Sequence, residues 1–541
     1  MLTTTDLVVV GVTVFLTLYF VKFSKPISFL KKLPTPQNAS WLTGHLEPLF
    51  DPLGFSFHEN VVRDYGGVIK LKTLFGGDQL YVTDPRALNH VVMNDGDIFD
   101  ISPMSVALNL TLFGKGLSGV TGSHHKKQRK ILNPIFSANY LKGLVPLFHE
   151  VGLELQEMLT SRIGEKQGAT VDVLKLISCA SLELITRGAL GHSFGNLEAD
   201  APFRHTAKSL MPTLSDVRVG IPLLPNLRKL GTPSVQRWLV ERIPSAPVQS
   251  IKNIIDTFQD TAYMMYDGHA KKLRSGVANE EKNMMSLLFE ANARAAENER
   301  LSQEEVMGLM SLVTFAGLDS TSGAISRIIH MLSENPEMQE HLRREIIDSG
   351  VTQNMSTTGD LNNLPFLDAI VKETLRLFPP LITVDRVRIR AVKDTVLPLL
   401  KPIQLEDGTM ADSLPIKKGT PLWIGIAMAN RSPEVWGPDA TEFKPERWLD
   451  AANPVADKDA RLPGAWSSIM TFLGGPRTCI GYRFALLEIK VIISGLIEKF
   501  HFEPSSERIN WRLDAISGPH VEGESDVGPR MPLKVSFIGT K

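Results

Sequence analysis

One stretch limits the fold more than any other. From Gln303 to Ser333 the residues keep a helical pattern. Ser302 and Glu305 before and within its first turn form a capping box, and Asn335-Pro336 stops it. Thirty-one helical residues run about 47 Å, enough to cross a domain. Gly317 stands in the middle, where glycine costs roughly 1 kcal/mol against alanine, so its place there needs a reason. Close helix packing is the simple one.

Around that helix the chain reads as one large, mixed, mainly α domain with small β-sheets, an α+β body. GVIKLKTLF, Gly76-Gly77-Asp78 and QLYVTDP predict a β-hairpin. Tyr140 to about Gly191 reads as helical. Seven prolines between 201 and 250 predict short or irregular helices there. The last third mixes short strands, loops and a helix from Tyr482 to Phe500. No internal repeat or charge break divides the body. With 58 Lys+Arg against 59 Asp+Glu, a nucleic-acid binder working through bulk positive charge is disfavoured. Two cysteines, Cys179 and Cys479, cannot build a disulfide framework or a four-thiolate zinc site.

The N-terminus carries its own message. Leu7 to Val21 is fifteen residues without a charge. Extended to Phe23 it spans roughly 25 Å as a helix, workable in a thin bilayer if Lys22 snorkels. Asp6 and the large residues at its end argue against a cleaved signal peptide. Residues 1–23 therefore read as a single transmembrane anchor, 24–40 as a basic, proline-rich linker, and 41–541 as the body. Lys22, Lys25, Lys31 and Lys32 place that body in the cytosol, where the sequons at Asn38, Asn109 and Asn354 would not be glycosylated.

Cys179 sits in an apolar helical pattern and reads as a small buried hydrophobe. Cys479 has different neighbours, in Phe472 to Gly481, FLGGPRTCIG. It stands just before a helix, where unpaired N–H groups and the positive end of the dipole favour thiolate. Arg477 adds a cation. Gly475 permits a tight turn, and Gly481 lets a flat partner approach the helix.

This loop resembles the cysteine-ligand loop Phe-x-x-Gly-x-Arg-x-Cys-x-Gly of the cytochrome P450 superfamily, the haem-thiolate monooxygenases. Three further matches follow in the family's order. Glu373-Thr374-Leu375-Arg376 resembles its Glu-x-x-Arg, and Arg447 in Pro445-Glu446-Arg447 its third member. Ala316-Gly317-Leu318-Asp319-Ser320-Thr321 resembles its oxygen-activation segment. His124 to Lys130 resembles its Trp/His-x-x-x-Arg helix.

The resemblance implies a P450 fold behind a single transmembrane helix, of the eukaryotic microsomal type, with the fungal members preferred. It implies haem b with Cys479 as axial ligand, Phe472 packed near the sulfur, Gly481 beside the ring, and His125, Arg129, Arg477 and Arg386 at the propionates. Asp319 would relay protons. Ser320 would hold the hydrogen bonds at the oxygen, with Thr321 next to it. Serine replaces the usual threonine and lacks the methyl that stiffens χ1. Gly317 would mark a local distortion making room for dioxygen. Glu373, Arg376 and Arg447 would brace the segment before the cysteine loop. By family position, the substrate pocket draws on Val106, Leu108, Leu110, Phe113, Phe315, Ala316, Leu381, Ile382, Val384 and Ile516, mostly apolar and suited to a lipophilic compound. A terpenoid, sterol-like compound, fatty acid or polycyclic aromatic would fit, in secondary metabolism or xenobiotic oxidation.

The activity implied is monooxygenation in the endoplasmic reticulum membrane. NADPH would supply electrons through cytochrome P450 reductase, with cytochrome b5 as a further donor. Lys126, Lys127 and Lys130 would form a basic docking rim. Two alternatives remain open at this point. One is a haem-thiolate isomerase or dehydratase that needs no reductase; the other is a non-catalytic haem-binding paralogue.

Overall fold

The computed structural model describes residues 30–538, apart from 165–167, 196, 198–201, 219, 275–283, 354–360, 362, 389–394, 450–458 and 525–526. The proposed anchor, residues 1–23, and the sequon at Asn354 lie outside the described residues. No helix among the described residues is long and apolar enough to cross a membrane.

The helices that position the site are, in chain order, α1 (Pro103–Leu112), α2 (Gly122–Leu132), α3 (Val145–Ile163), α4 (Val173–Ile185) and α5 (Pro202–Asp216). They continue with α6 (Ala246–Arg274), α7 (Gln303–Glu334), α8 (Pro365–Leu377) and α9 (Tyr482–Lys499). The α7 helix starts where its capping box predicts. Ser302 Oγ accepts from Glu305 N at 3.3 Å, and Glu305 carboxylate accepts from Ser302 N at 2.8 Å. It ends one residue beyond the expected Ser333.

Helix α7 is the axis of the core. It packs against α4, α6 and α9. Its neighbour α4 is buried on every side except at Lys175, as expected for a helix apolar all round. Gly317 is explained by that neighbour. A Cβ there would lie 2.5 Å from Ile185 Cγ1 on α4, so glycine lets two helices approach closely. The helix runs unbroken through the position. Packing supplies the reason for the glycine, in place of the expected local distortion.

The predicted hairpin is β1 (Val68–Lys72) and β2 (Asp78–Val82), antiparallel with Val68 opposite Val82. It belongs to a five-stranded sheet with β3 (Phe99–Asp100), β4 (Thr383–Arg388) and β5 (Pro421–Gly425), in the order β1-β2-β5-β4-β3. The stretch 140–191 is not wholly helical. Ala169–Asp172 forms a strand paired with Pro532–Phe537, a partner more than 350 residues away that local pattern does not reveal. Between Pro222 and Pro244 the helices are short, as the prolines predict. Helix α5 is longer than expected, because Pro202 opens it, where no N–H is needed, and Pro212 is accommodated inside.

The linker is more than a spacer. Leu30 and Leu33 are buried in the main core. Lys32 O accepts from Glu406 N at 2.8 Å, and Lys32 Nζ pairs with Asp407 at 3.0 Å. The packed body thus begins by Leu30, ahead of the expected residue 41.

Candidate active site

The cysteine loop is shaped by backbone before side chains. Leu473 and Gly475 take positive φ, 54° and 62°. A Cβ on Gly475 would stand 2.3 Å from Val92 O, and one on Gly474 1.8 Å from Pro463 O, so both glycines are required by close approach. Cys479 N donates to Phe472 O at 2.9 Å, which closes the loop. The Phe472 ring packs between Trp466 and Tyr482 at 5.8 and 5.9 Å. Gly481 caps α9, and a Cβ there would meet only Phe136, at an ordinary 3.7 Å. The chain's own packing leaves room at Gly481.

Cys479 is the accessible one of the two cysteines, and Cys179 is buried as expected. Burial of the loop pushes the Cys479 thiol up, against the Gly481 N–H and the Arg129 charge, which pull it down. The helix terminus and the cation were expected to favour thiolate; in the protein alone, desolvation outweighs them. A metal cation held by this thiol would reverse that balance, since a coordinating thiol loses its proton.

The basic residues gather beside this loop. Arg129 Nη1 donates to Thr478 O at 2.7 Å, joining α2 to the cysteine loop. Arg477 Nη2 donates to Asp100 Oδ1 at 2.5 Å and to Val120 O at 3.1 Å. Its Nε is buried with no partner. Arg386 is bound by Asp95 at 2.8 and 3.0 Å. Two aspartates that the sequence reading missed thus hold two of the four expected propionate contacts. Asn94-Asp95-Gly96-Asp97-Ile98-Phe99-Asp100 was the only hint, and acids in a loop usually mean solvent. His125 is buried, and desolvation with the Arg477 and Arg129 charges lowers its pKa to about 4, so the ring is neutral near pH 7. A cleft of about 510 Å³ opens beside these groups, lined among others by His125, Lys126, Arg129, Lys130 and Arg477. Lys130 pairs with Glu299 at 3.2 Å and Lys127 donates to Arg300 O at 2.6 Å. Lys130 of the expected rim is therefore paired with a carboxylate of the same chain, while Lys127 is tethered by a neutral carbonyl and keeps its charge.

The bracing network is dense. Arg376 donates two parallel bonds to Glu373, both 2.8 Å. Arg447 Nε and Trp448 Nε1 reach the same carboxylate at 2.9 Å, and Lys444 N at 3.0 Å. Arg376 also donates to Asn430 O, Ala440 O and Glu442 O. Trp448, one residue past the expected member, is an addition.

On α7, Asp319 and Thr321 are buried. Ser320 Oγ donates to Ala316 O at 2.7 Å. Asp319 is not free: Lys208 Nζ on α5 binds Asp319 Oδ1 at 2.6 Å and Ser322 Oγ at 2.7 Å. No sequence signal pairs residues 111 apart on different helices. Ala316 is exposed although flanked by buried Phe315 and Leu318.

The expected pocket residues separate. Phe113, Phe315 and Ile516 share one apolar cluster, with Leu108 at its edge. Phe203 of α5 and Phe258 of α6, unforeseen, complete it: Phe113–Phe315 is 5.2 Å, Phe258–Phe315 5.9 Å and Phe203–Phe258 5.0 Å between ring centres. Ile382 packs on a different cluster, Val384 on the main core. Val106 and Leu110 are half-buried and Leu381 is 38% exposed.

With this geometry established, comparison with known proteins is direct. The chain matches the cytochrome P450 family over residues 34–514. It is 39% identical over 522 residues to cytochrome P450 monooxygenase 212 of Postia placenta, with 94% of each chain covered. It is 34% identical over 532 residues to a ganoderic acid synthetase of Ganoderma lucidum, again with 94% of each covered. The chain belongs to the cytochrome P450 family and is a P450 monooxygenase. Membership implies a haem-thiolate cofactor, and the residues fit one: an accessible thiol at a helix start, a buried Arg477 Nε without a partner, and a glycine that the chain's own packing does not demand.

Proposed function

We propose that this chain inserts one oxygen atom from dioxygen into a lipophilic small molecule, with electrons from NADPH delivered by a cytochrome P450 reductase and, as a second donor, cytochrome b5. The observation that carries the reading is the accessible Cys479 thiol fixed by a strained backbone loop beside Arg129, His125 and Arg477. Haem held there supplies the activation of dioxygen.

The chain's residues divide the remaining work. Cys479 holds the iron. Arg477 and Arg129 offer charge to the haem carboxylates, and neutral His125 a single ring N–H. Asp319 carries protons inward, and the Ser320 hydroxyl receives them at the pocket. Glu373, Arg376 and Arg447 lock the segment that leads into the cysteine loop. The aromatic cluster of Phe113, Phe203, Phe258 and Phe315 excludes water and favours an apolar substrate. A relative named ganoderic acid synthetase favours a biosynthetic substrate among the terpenoid, sterol-like, fatty-acid and polycyclic aromatic candidates. Residues 1–23 anchor the protein in the endoplasmic reticulum membrane with the body in the cytosol. The retained Asp319 and Ser320 favour this reading over an isomerase that needs no proton relay.

The first test is the carbon-monoxide difference spectrum of dithionite-reduced membranes containing the full chain. A strongly red-shifted Soret band, lost in Cys479→Ser, supports the assignment. A band that survives the substitution refutes Cys479 as the ligand.

A further inference from the structure

Asp319 opens onto a second carboxylate. A cavity of about 20 Å³ lies between α5, α7 and the C-terminal loop, with Lys208, Met211, Asp319, Gly323, Asp514 and Ile516 among its lining residues. That volume exceeds the roughly 10–15 Å³ that one water needs, and three polar side chains meet the requirement for partners. Asp514 is 4% exposed. Its Oδ1 accepts from Ser215 Oγ at 2.9 Å. His520 Nε2 stands 3.7 Å from Asp514 Oδ2, and Arg512 Nη2 3.9 Å from Oδ1. Both ring nitrogens of His520 and the Nε of Arg512 are buried without a hydrogen-bond partner. The side chains of Arg512 and Asp319 are 25% and 9% exposed, so the Arg512 edge of this cluster is the more open end.

From this arrangement we infer that Asp514 is the proton-supplying residue for Asp319, through one water in the shared cavity, and that Lys208 is the positioning residue that holds the Asp319 end. The inference rests on the monooxygenase reading. After Asp319 gives a proton toward the Ser320 hydroxyl, the Asp319 carboxylate is reloaded from the water, the water from Asp514, and Asp514 from solvent, while the Arg512 guanidinium, which keeps its own protons, favours the Asp514 carboxylate once its proton has left. Each step moves one proton and no electrons. Lys208 Nζ spends two donors on Asp319 and Ser322, which leaves its third N–H for the cavity. Without Lys208, Asp319 would lose its ion-pair partner on a cavity that it shares with the Asp514 carboxylate. Helix α5 carries both Lys208 and Ser215, so its seating sets the two ends of the route together.

Two measurements test this. The first needs no haem chemistry: thermal unfolding of Lys208→Met, Asp514→Asn and the double variant. Shared service of one cavity predicts midpoint shifts that do not add. Additive shifts, with non-additivity confined to the Ser215 and Asp514 pair, would make Asp514 a mere tether for α5 and overturn the inference. The second uses holo-protein with NADPH and reductase and reads hydrogen peroxide formed per NADPH oxidised, which requires no known substrate. Asp514→Asn keeps the Ser215 contact and is expected to raise the ratio severalfold, to the level of Asp319→Asn, with no further rise in the double variant and rescue in Asp514→Glu. An unchanged ratio in Asp514→Asn beside a raised one in Asp319→Asn sinks the Asp514 route alone. An unchanged ratio in both sinks the relay role of Asp319 as well.

Discussion

Replacing Arg376 by Met tests the bracing network most sharply. The side chain is fully buried, and its methylene volume is largely kept by Met. What disappears is five hydrogen bonds: two to Glu373 and three to the carbonyls of Asn430, Ala440 and Glu442. Removing one partner of a buried ion pair costs about 3–5 kcal/mol. Glu373 keeps Arg447, Trp448 and Lys444 N, which argues for the lower end. Three carbonyls without donors, at about 1 kcal/mol each, argue for the upper. A loss of about 4–5 kcal/mol is a large share of an ordinary native stability of about 5–15 kcal/mol. The assay is the guanidinium unfolding midpoint, with haem content measured on the same preparations. Arg447→Met, which gives up one bond to Glu373 and contacts to Asp439, should cost about half as much. The pH dependence adds a sign. Burial opposes ionisation of Glu373, but bonds from Arg376, Lys444 N and Arg447 hold its carboxyl below the usual range. A depressed folded pKa gives stability that is present above the unfolded value near 4.5 and lost as pH falls through the folded value. Wild type should therefore lose more stability below about pH 4.5 than Arg376→Met. An Arg376→Met protein that keeps haem and unfolds within about 1 kcal/mol of wild type would refute the reasoning.

Other expectations are independent of that network. Gly317→Ala gains up to about 1 kcal/mol of helix propensity but forces a contact with Ile185, at about 1–3 kcal/mol; a lower unfolding midpoint, recovered by adding Ile185→Val, checks it. Glu488 on α9 is fully buried beside Ser181, and burial pushes its pKa up to about 8 against the Ser181 hydroxyl, which pulls it down. A raised carboxyl pKa means that stability falls as pH climbs from the unfolded value near 4.5 to about 8. Glu488→Gln should thus be the more stable protein at pH 8, by a few kcal/mol on the order of, and equal stabilities there would contradict it. Deleting residues 1–29, which spares buried Leu30 and Leu33, should move protein from the membrane fraction to the supernatant; undiminished sedimentation with membranes would remove the anchor.

Much of this protein is legible in the chain alone. The span of α7, its capping box, the β1–β2 hairpin, the cysteine loop and the Glu373–Arg376 pair are local features. They depend on periodicity, glycine and the reach between i and i+3, which residue order states directly. What joins distant segments had to wait for the folded chain. Asp95 and Asp100 holding Arg386 and Arg477, Lys208 on Asp319, Trp448 on Glu373, and Phe203 and Phe258 beside Phe315 are contacts between elements far apart in sequence, and residue type alone does not say which distant partner meets which. Gly317 and Cys479 show why that matters. The glycine answers to Ile185 on another helix. The thiol is exposed at its own surface, yet the loop packed around it opposes the charge that the helix end and the cation favour, because desolvation is a property of everything packed around a group and not of its neighbours in the chain.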